Sequence, residues 1–375
     1  MLRVFGDFQI EFPLWLVILG GALTAFYITY TVIPSIVKVS YLKGLFDTPN
    51  HRTSHFRNIP TLGGVGVFIG WILTVSIFSG AGIDHELKYI IGSLLILFFI
   101  GIKDDVLVVD PRKKLISQIL ASAIVAILGN IRISNFHNIL GIGEIPYFAS
   151  ILFTIFVAVV IINGFNLIDG IDGLASGVGI IASLFFGIWF VMSHYISYSI
   201  LSFAFTGSLL GFFIFNVFGK ENKIFLGDTG SLIIGLIITV FTIRFLEYNL
   251  HANEDLFIHS APTVAIGVLI VPLFDTIRVF TIRILQKKSP FKADRQHIHH
   301  QLLDLGNTHL KSTIIILFSN VLIIALCLWL QNLNPLLLLT IVLFLSSILS
   351  YLPIILVNRQ IEANKLRRIM KFLSL

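Results

Sequence analysis

From residue 13 to residue 357 the chain alternates long apolar runs with short polar breaks. A hydrocarbon core about 30 Å thick takes roughly 17–25 apolar residues per helix. Reading the runs between breaks gives about eleven candidate spans. They lie at roughly 13–36, 60–80, 87–102, 115–130, 146–163, 174–194, 197–218, 230–247, 262–285, 312–331 and 334–357. The expected fold class is therefore an all-α polytopic membrane protein, a bundle of about eleven transmembrane helices. The run at 262–285 is the least ordinary, because it contains Asp275, Arg278 and Arg283.

Composition agrees over the whole length. Of 375 residues 56% are hydrophobic and only 12% charged, with a mean hydropathy of +0.93; soluble domains carry about 25% charged residues. The one cysteine, Cys327, lies inside an apolar run, which excludes an intrachain disulfide framework or a cysteine metal site. The first run is long and has no small-residue cleavage pattern, so it reads as a retained helix rather than a signal peptide. Residues 1–375 read as a single integral-membrane domain.

The net charge of +6 is unevenly placed. Alternate loops carry Lys38, Lys43, Arg52 and Arg57, then Lys103, Arg112, Lys113 and Lys114, then Lys220 and Lys223. The series ends with Lys287, Lys288, Lys292, Arg295 and Lys311, and a tail with Arg359, Lys365, Arg367, Arg368 and Lys371. The opposite loops hold little beyond Arg3, Lys88 and Arg132. The positive-inside rule puts the N-terminus outside and the C-terminus in the cytoplasm. This distribution points to a membrane surface, not nucleic acid.

Four ionisable clusters fall on the cytoplasmic side of that topology. They are KDD at 103–105, NLIDGIDG at 166–173, FLGDTGS at 225–231 and ADRQHIHH at 293–300. Asp169 and Asp172 share one face if their segment is helical, and hard carboxylate oxygens suit Mg²⁺ or Mn²⁺. Asp228 sits between glycines at a helix start, where backbone N–H groups can face a phosphate. His297, His299 and His300 do not have the spacing of a zinc site; beside Arg295 they suggest a cationic, hydrogen-bonding phosphate clamp. Taken singly, each motif is as readily a cap, a turn or a solvated helix end. Together, on one side of one bundle, they argue for a site. A secondary transporter, the distant alternative, would place carboxylates near the bilayer midplane and show related repeats; here most carboxylates sit at one face and no repeat is apparent.

The ordered set resembles the polyprenyl-phosphate N-acetylhexosamine-1-phosphate transferase family, glycosyltransferase family 4. The likeness runs from DTPNHRTSHFRNIPTLGGVGVF (47–68) through GIKDDVLVVDPRKKLISQ, NGFNLIDGIDGLASG and FLGDTGSLIIG to PLFDTIRVFTIRILQKKSPFKADRQHIHHQLLDLG (272–306). It covers about residues 40–310, leaving two helices and a basic tail at 311–375. SPFKADRQHIHHQLLDLG resembles the undecaprenyl-phosphate GlcNAc-1-phosphate branch; the alternative is the phospho-MurNAc-pentapeptide branch of peptidoglycan synthesis. Thr53 and Asn58 depart from the frequent family residues, and the stretch from Asn216 to Asp228 is slightly long.

The resemblance implies transfer of HexNAc-1-phosphate from a UDP-sugar to undecaprenyl phosphate, releasing UMP, with Mg²⁺ or Mn²⁺. It implies a bacterial inner-membrane enzyme that starts a lipid-linked glycan such as O-antigen or another cell-wall polymer. Partners implied are the UDP-HexNAc donor, the lipid acceptor, the bilayer and, as one option, a second copy as a homodimer. The catalytic set it implies is Asp104, Asp105, Asp169, Asp172, His297, His299 and His300. Asp104 and Asp105 would form the acceptor-side pair, by direct attack or through a phospho-aspartate. Asp228, with Asp169 or Asp172, would hold the metal; Lys114, Asn166, Arg295 and His55 would bind substrate.

Overall fold

The structure is a computed structural model describing residues 2–5, 8–46, 58–78, 84–287 and 297–373. In chain order, strands β1 (Leu2–Phe5) and β2 (Phe8–Phe12) form an antiparallel hairpin. Helices α1 (Leu14–Lys43), α2 (Gly63–Phe78), α3 (Asp84–Val106) and α4 (Pro111–Ala123) follow, α4 continuing into a π-helical turn, Ile124–Leu128. A second antiparallel hairpin, β3 (Asn135–Ile139) and β4 (Ile142–Glu144), precedes α5 (Tyr147–Ile168), α6 (Leu174–Met192) and α7 (Ile196–Phe213). The rest is helical: α8 (Gly227–Asn249), α9 (Ala261–Val268), α10 (Ile270–Leu285), α11 (Ile298–Asp304), α12 (His309–Trp329) and α13 (Pro335–Leu373). Each expected apolar run is helical, and the hairpins are the additions that hydropathy does not reveal.

The expected number of spans is not reproduced. Among the described residues seven helices are long and apolar enough to cross a bilayer: α1, α5, α6, α7 with its π-helical extension, α8, α12 and the first half of α13. The run at 262–285 is not one straight span. It breaks at Leu269 into α9 and α10, bent by 80°. Counting that pair as one span gives eight. The chain is a multi-pass membrane protein.

Helix ends follow local chemistry. Gly44 terminates α1 in the left-handed conformation, its N–H returned to the carbonyls of Ser40 and Tyr41. Pro111 starts α4 at a position that needs no N–H, and Asp110 accepts from the Arg112 N–H. At the centre stands α8, apolar on all sides and wholly buried over its most apolar stretch. It packs between α3 and α5, with α2 and α6 alongside. This central helix brings the GDTGS motif to one end of the bundle, beside the ends of α3 and α5. By contrast α10 is two-faced, burying Asp275, Arg278 and Arg283 while exposing Ile277, Ile284 and Leu285.

Candidate active site

The site is built around the first turn of α8. The segment before it is laid along the start of α2 by backbone bonds. Phe225 N–H donates to Pro60 O (2.8 Å), Gly63 N–H to Phe225 O (2.9 Å) and Gly64 N–H to Leu226 O (2.8 Å). The chain then turns at Gly227, whose φ of +73° favours glycine; a Cβ there would lie 2.0 Å from the Thr61 carbonyl oxygen. The freed N–H groups of the helix start are taken up by Asp105, from the last turn of α3. Its Oδ1 accepts from Asp228 N (2.7 Å), and its Oδ2 from Thr229 N (3.0 Å) and Thr229 Oγ1 (2.5 Å). Asp105 thus caps α8 from another helix.

Its neighbour Asp104 has different partners. Oδ1 accepts from Val109 N (2.8 Å), bracing the α3–α4 loop, and Oδ2 pairs with Lys114 Nζ at 3.0 Å. Lys114, on the first turns of α4, also pairs with Asp228 Oδ1. Asn166, near the end of α5, donates Nδ2 to the same Asp228 oxygen and to Ser231 Oγ (2.9 Å). Asp104, Lys114, Asp228 and Asn166 therefore form one continuous polar chain across four helices. The second oxygen of Asp228 accepts no hydrogen bond from the described residues.

Asp169 and Asp172, alike in sequence, are unlike in place. Asp169 ends α5 half-buried, and its carboxylate has no hydrogen-bond or ion-pair partner among the described residues. Burial, and then the charges of Asp228, Asp105 and Asp172, push its pKa well above the usual carboxylate value. Asp172 is paired: Oδ2 accepts from Lys223 Nζ (2.6 Å) and lies 3.4 Å from His309 Nδ1. Burial acts to raise its pKa, but His309 and Lys223 outweigh it and hold it below the ordinary value. Its carbonyl accepts from Thr313 Oγ1 (2.7 Å), tying this loop to α12. Asn216 secures the other side, accepting from Gly173 N (2.6 Å) and donating to Ile224 O (2.9 Å).

The histidines reach the same end of the bundle through α11. His297 Nδ1 bonds to Asp275 Oδ2 (2.8 Å), while Asp275 Oδ1 accepts from Arg278 Nη2 (2.8 Å) and Ile298 N (3.1 Å). The His299 ring stacks on His297, centroids 5.7 Å apart, and lies against Gly170, where a Cβ would fall 2.2 Å from its Nε2. The glycine of NLIDG is thus a seat for an imidazole beside Asp169. Against the expectation of a cationic clamp, burial at His299 disfavours the charged ring. Burial first, then His300, lowers its pKa to about 3, leaving a neutral hydrogen-bonding ring. His300 packs on it at 4.3 Å. His55 and Arg295 lie outside the described residues.

Sequence reasoning missed Asp275, Lys223 and His309 as site-building residues. Asp275 and Arg278 gave a signal, since ionisable groups inside an apolar run are costly unless paired. Lys223 and His309 gave none, because their relation to Asp172 exists only in three dimensions.

A divalent cation fits this donor set. Among the described residues no three His, Cys, Asp or Glu side chains gather closely enough to hold a metal alone. Mg²⁺, however, typically takes one or two carboxylates and completes its shell with water and substrate phosphates. Asp169, unpartnered and crowded by carboxylates, and the free oxygen of Asp228 are such acceptors.

A membrane bundle with a carboxylate-rich, lysine-bridged site at one end is suited to handling charged groups at a bilayer. The chain belongs to glycosyl transferase family 4, whose profile matches residues 87–246. It is similar to the undecaprenyl-phosphate alpha-N-acetylglucosaminyl 1-phosphate transferase of Escherichia coli O157:H7, 30% identical over 286 residues, 74% of each chain. It is also similar to the decaprenyl-phosphate N-acetylglucosaminephosphotransferase of Mycobacterium tuberculosis H37Rv, 28% identical over 315 residues, 78% of each chain. The Yersinia pestis protein bearing the same name as the Escherichia coli one is 28% identical over 284 residues, covering 74% of this chain and 75% of its own.

Proposed function

We propose that the chain transfers GlcNAc-1-phosphate from UDP-GlcNAc to a polyprenyl phosphate, undecaprenyl phosphate being the expected acceptor, and releases UMP. The observation that carries this reading is Asp169: a carboxylate with no partner, beside Asp228, Lys114 and Asn166, at one end of a membrane bundle. The names of the relatives above support the choice of GlcNAc over MurNAc-pentapeptide.

The chemical difficulty is charge. The acceptor is a phosphate monoester, mostly dianionic above its second pKa of about 6, and it must approach a pyrophosphate. Bound Mg²⁺ would neutralise the pyrophosphate and stabilise the departing UMP. Asp169 and the free oxygen of Asp228 are the residues that would hold it. Lys114 places a cation between Asp104 and Asp228, within reach of phosphate oxygens that approach either. His299, neutral, offers a ring nitrogen to a phosphate or hydroxyl without repelling a metal nearby. Both oxygens of Asp105 are engaged by the start of α8, which supports direct in-line attack with Asp105 as a positioning group rather than a nucleophile.

The topology that accompanies this reading has an outside N-terminus, a cytoplasmic C-terminus and the site facing the cytoplasm, supported by the Lys and Arg distribution. Taking α2, α3 and α4 with its π-helical turn as spans beside the eight would give eleven. The test is UMP release by purified protein in vesicles with undecaprenyl phosphate, comparing UDP-GlcNAc with UDP-MurNAc-pentapeptide, with and without Mg²⁺. Mg²⁺-dependent turnover of UDP-GlcNAc, lost in Asp228→Asn, is the expected result. Turnover of UDP-MurNAc-pentapeptide alone would overturn the donor, and full activity of Asp228→Asn would overturn the metal assignment.

A further inference from the structure

The loop joining α3 to α4 is rigidly held yet apolar on its outside. Asp104 fixes the Val109 N–H, Lys103 O receives the Leu107 N–H, and Asp110 caps α4. Between these anchors Val106, Leu107 and Val108 project away from the protein, 42%, 63% and 100% exposed. Such a trio in water is unfavourable, since fully exposed aliphatic side chains forfeit their transfer free energy. Three exposed cations flank it: Lys103 before the trio, Arg112 and Lys113 after it. No carboxylate pairs with any of the three among the described residues. The apolar surface continues along α4 through Ile116, Ile119 and Leu120, all exposed.

An apolar tip ringed by unpaired cations, continuous with an apolar helix face, matches the interface of a bilayer bearing anionic phosphate headgroups. We propose that this loop is a membrane-inserting lip. Val106, Leu107 and Val108 seat at the boundary of the acyl chains, and Lys103, Arg112 and Lys113 hold lipid phosphates around them. The same Asp104 that braces the lip also pairs with Lys114, so the depth of the lip sets the height of the site. The consequence for an acceptor lipid, presentation of its phosphate at the level of Lys114, rests on the function proposed above.

Depth is measured without any turnover. A nitroxide is attached to Val108→Cys in a Cys327→Ala background and the protein is reconstituted in phosphatidylcholine vesicles, with and without phosphatidylglycerol. Power saturation then compares oxygen with a water-soluble nickel chelate. The expected result is greater access to oxygen, increasing with phosphatidylglycerol. Dominant nickel access, or shielding from both, overturns the lip and assigns the trio to water or to a protein partner. In the transfer assay, Val108→Asp should raise the apparent KM for a long-chain polyprenyl phosphate in vesicles about tenfold. The KM for the UDP-sugar and the turnover of a short, water-soluble prenyl phosphate should stay unchanged; equal loss on both acceptors also overturns the proposal. A parent protein with no transferase activity would remove the proposed function but leave the depth measurement to decide the lip.

Discussion

Helix α3 is tied to α8 at both of its ends, and the two ties differ in charge balance. At the end away from the site, Glu86 Oε1 pairs with Arg244 Nη2 (2.7 Å). Tyr198 completes that cluster: its hydroxyl accepts from Arg244 Nε (3.0 Å) and donates to Glu86 Oε2. Tyr248 stacks on Tyr195 at 3.7 Å and lies beneath the Arg244 guanidinium. There one cation meets one carboxylate, and the aromatic rings close the cluster. At the site end Asp105 ties α3 to α8, but among the described residues Asp104 and Asp228 share one lysine, Lys114, which pairs with neither Asp105 nor Asp169. A buried pair that is balanced is a joint. A buried set with surplus negative charge is held against its own repulsion, and it is relieved by a cation from outside.

The largest expected effect comes from removing that surplus. Asp169→Asn should lower kcat by about a hundredfold to a thousandfold, the scale of losing a group that stabilises a transition state. It should also leave the protein as stable as the parent or more so, because a carboxylate crowded by Asp228, Asp105 and Asp172 loses its charge. The parent should gain thermal stability on adding Mg²⁺, by about 2.7 kcal/mol at a hundred times the dissociation constant, and Asp169→Asn should gain little. A variant that melts earlier than the parent without Mg²⁺ would show that Asp169 is a structural anchor.

Lys114→Met should rank next. It leaves Asp104 and Asp228 facing each other without a cation, a loss of about 3–5 kcal/mol for breaking a buried pair. Both side chains of the Lys114–Asp104 contact are only partly exposed, 15% and 12%, so solvent screens it little. Stability measured by denaturation should fall in this variant and recover in part with Mg²⁺. Equal loss with and without Mg²⁺ would mean that the cation and the lysine act at separate places.

Sequence made the membrane bundle legible, because apolar length is a one-dimensional property. It made the four clusters legible for the same reason, since each lies within a few residues. What it left equal was Asp169 and Asp172, three residues apart in one motif. Their difference is created by Lys223 and His309, which reach only Asp172. The role of Asp105 was likewise hidden. Its oxygens cap a helix that begins 122 residues further on in the chain, at Gly227. The break at Leu269 carried no marker in hydropathy, and both halves are apolar enough to read as one span. A basic loop suggests cations, whereas the ring of His299 is governed by what buries it, and that burial is not visible in sequence.

The balanced tie gives the smallest expected effect on catalysis and the cleanest control. Arg244→Met leaves Glu86 and the Tyr198 hydroxyl without their cation, so stability should fall by about 3 kcal/mol. Glu86→Gln with Arg244→Met removes both charges together, and the pair should recover much of that loss, since an uncompensated charge costs more than an absent pair. Activity per folded molecule should stay within about twofold in both variants, because nothing in that cluster touches the site. The measurement is a double-mutant cycle on denaturation midpoints, with turnover normalised to folded protein. A turnover loss comparable to that of Lys114→Met would mean that α3 transmits strain along its length. The two ends would then be one mechanical unit rather than a joint and a site.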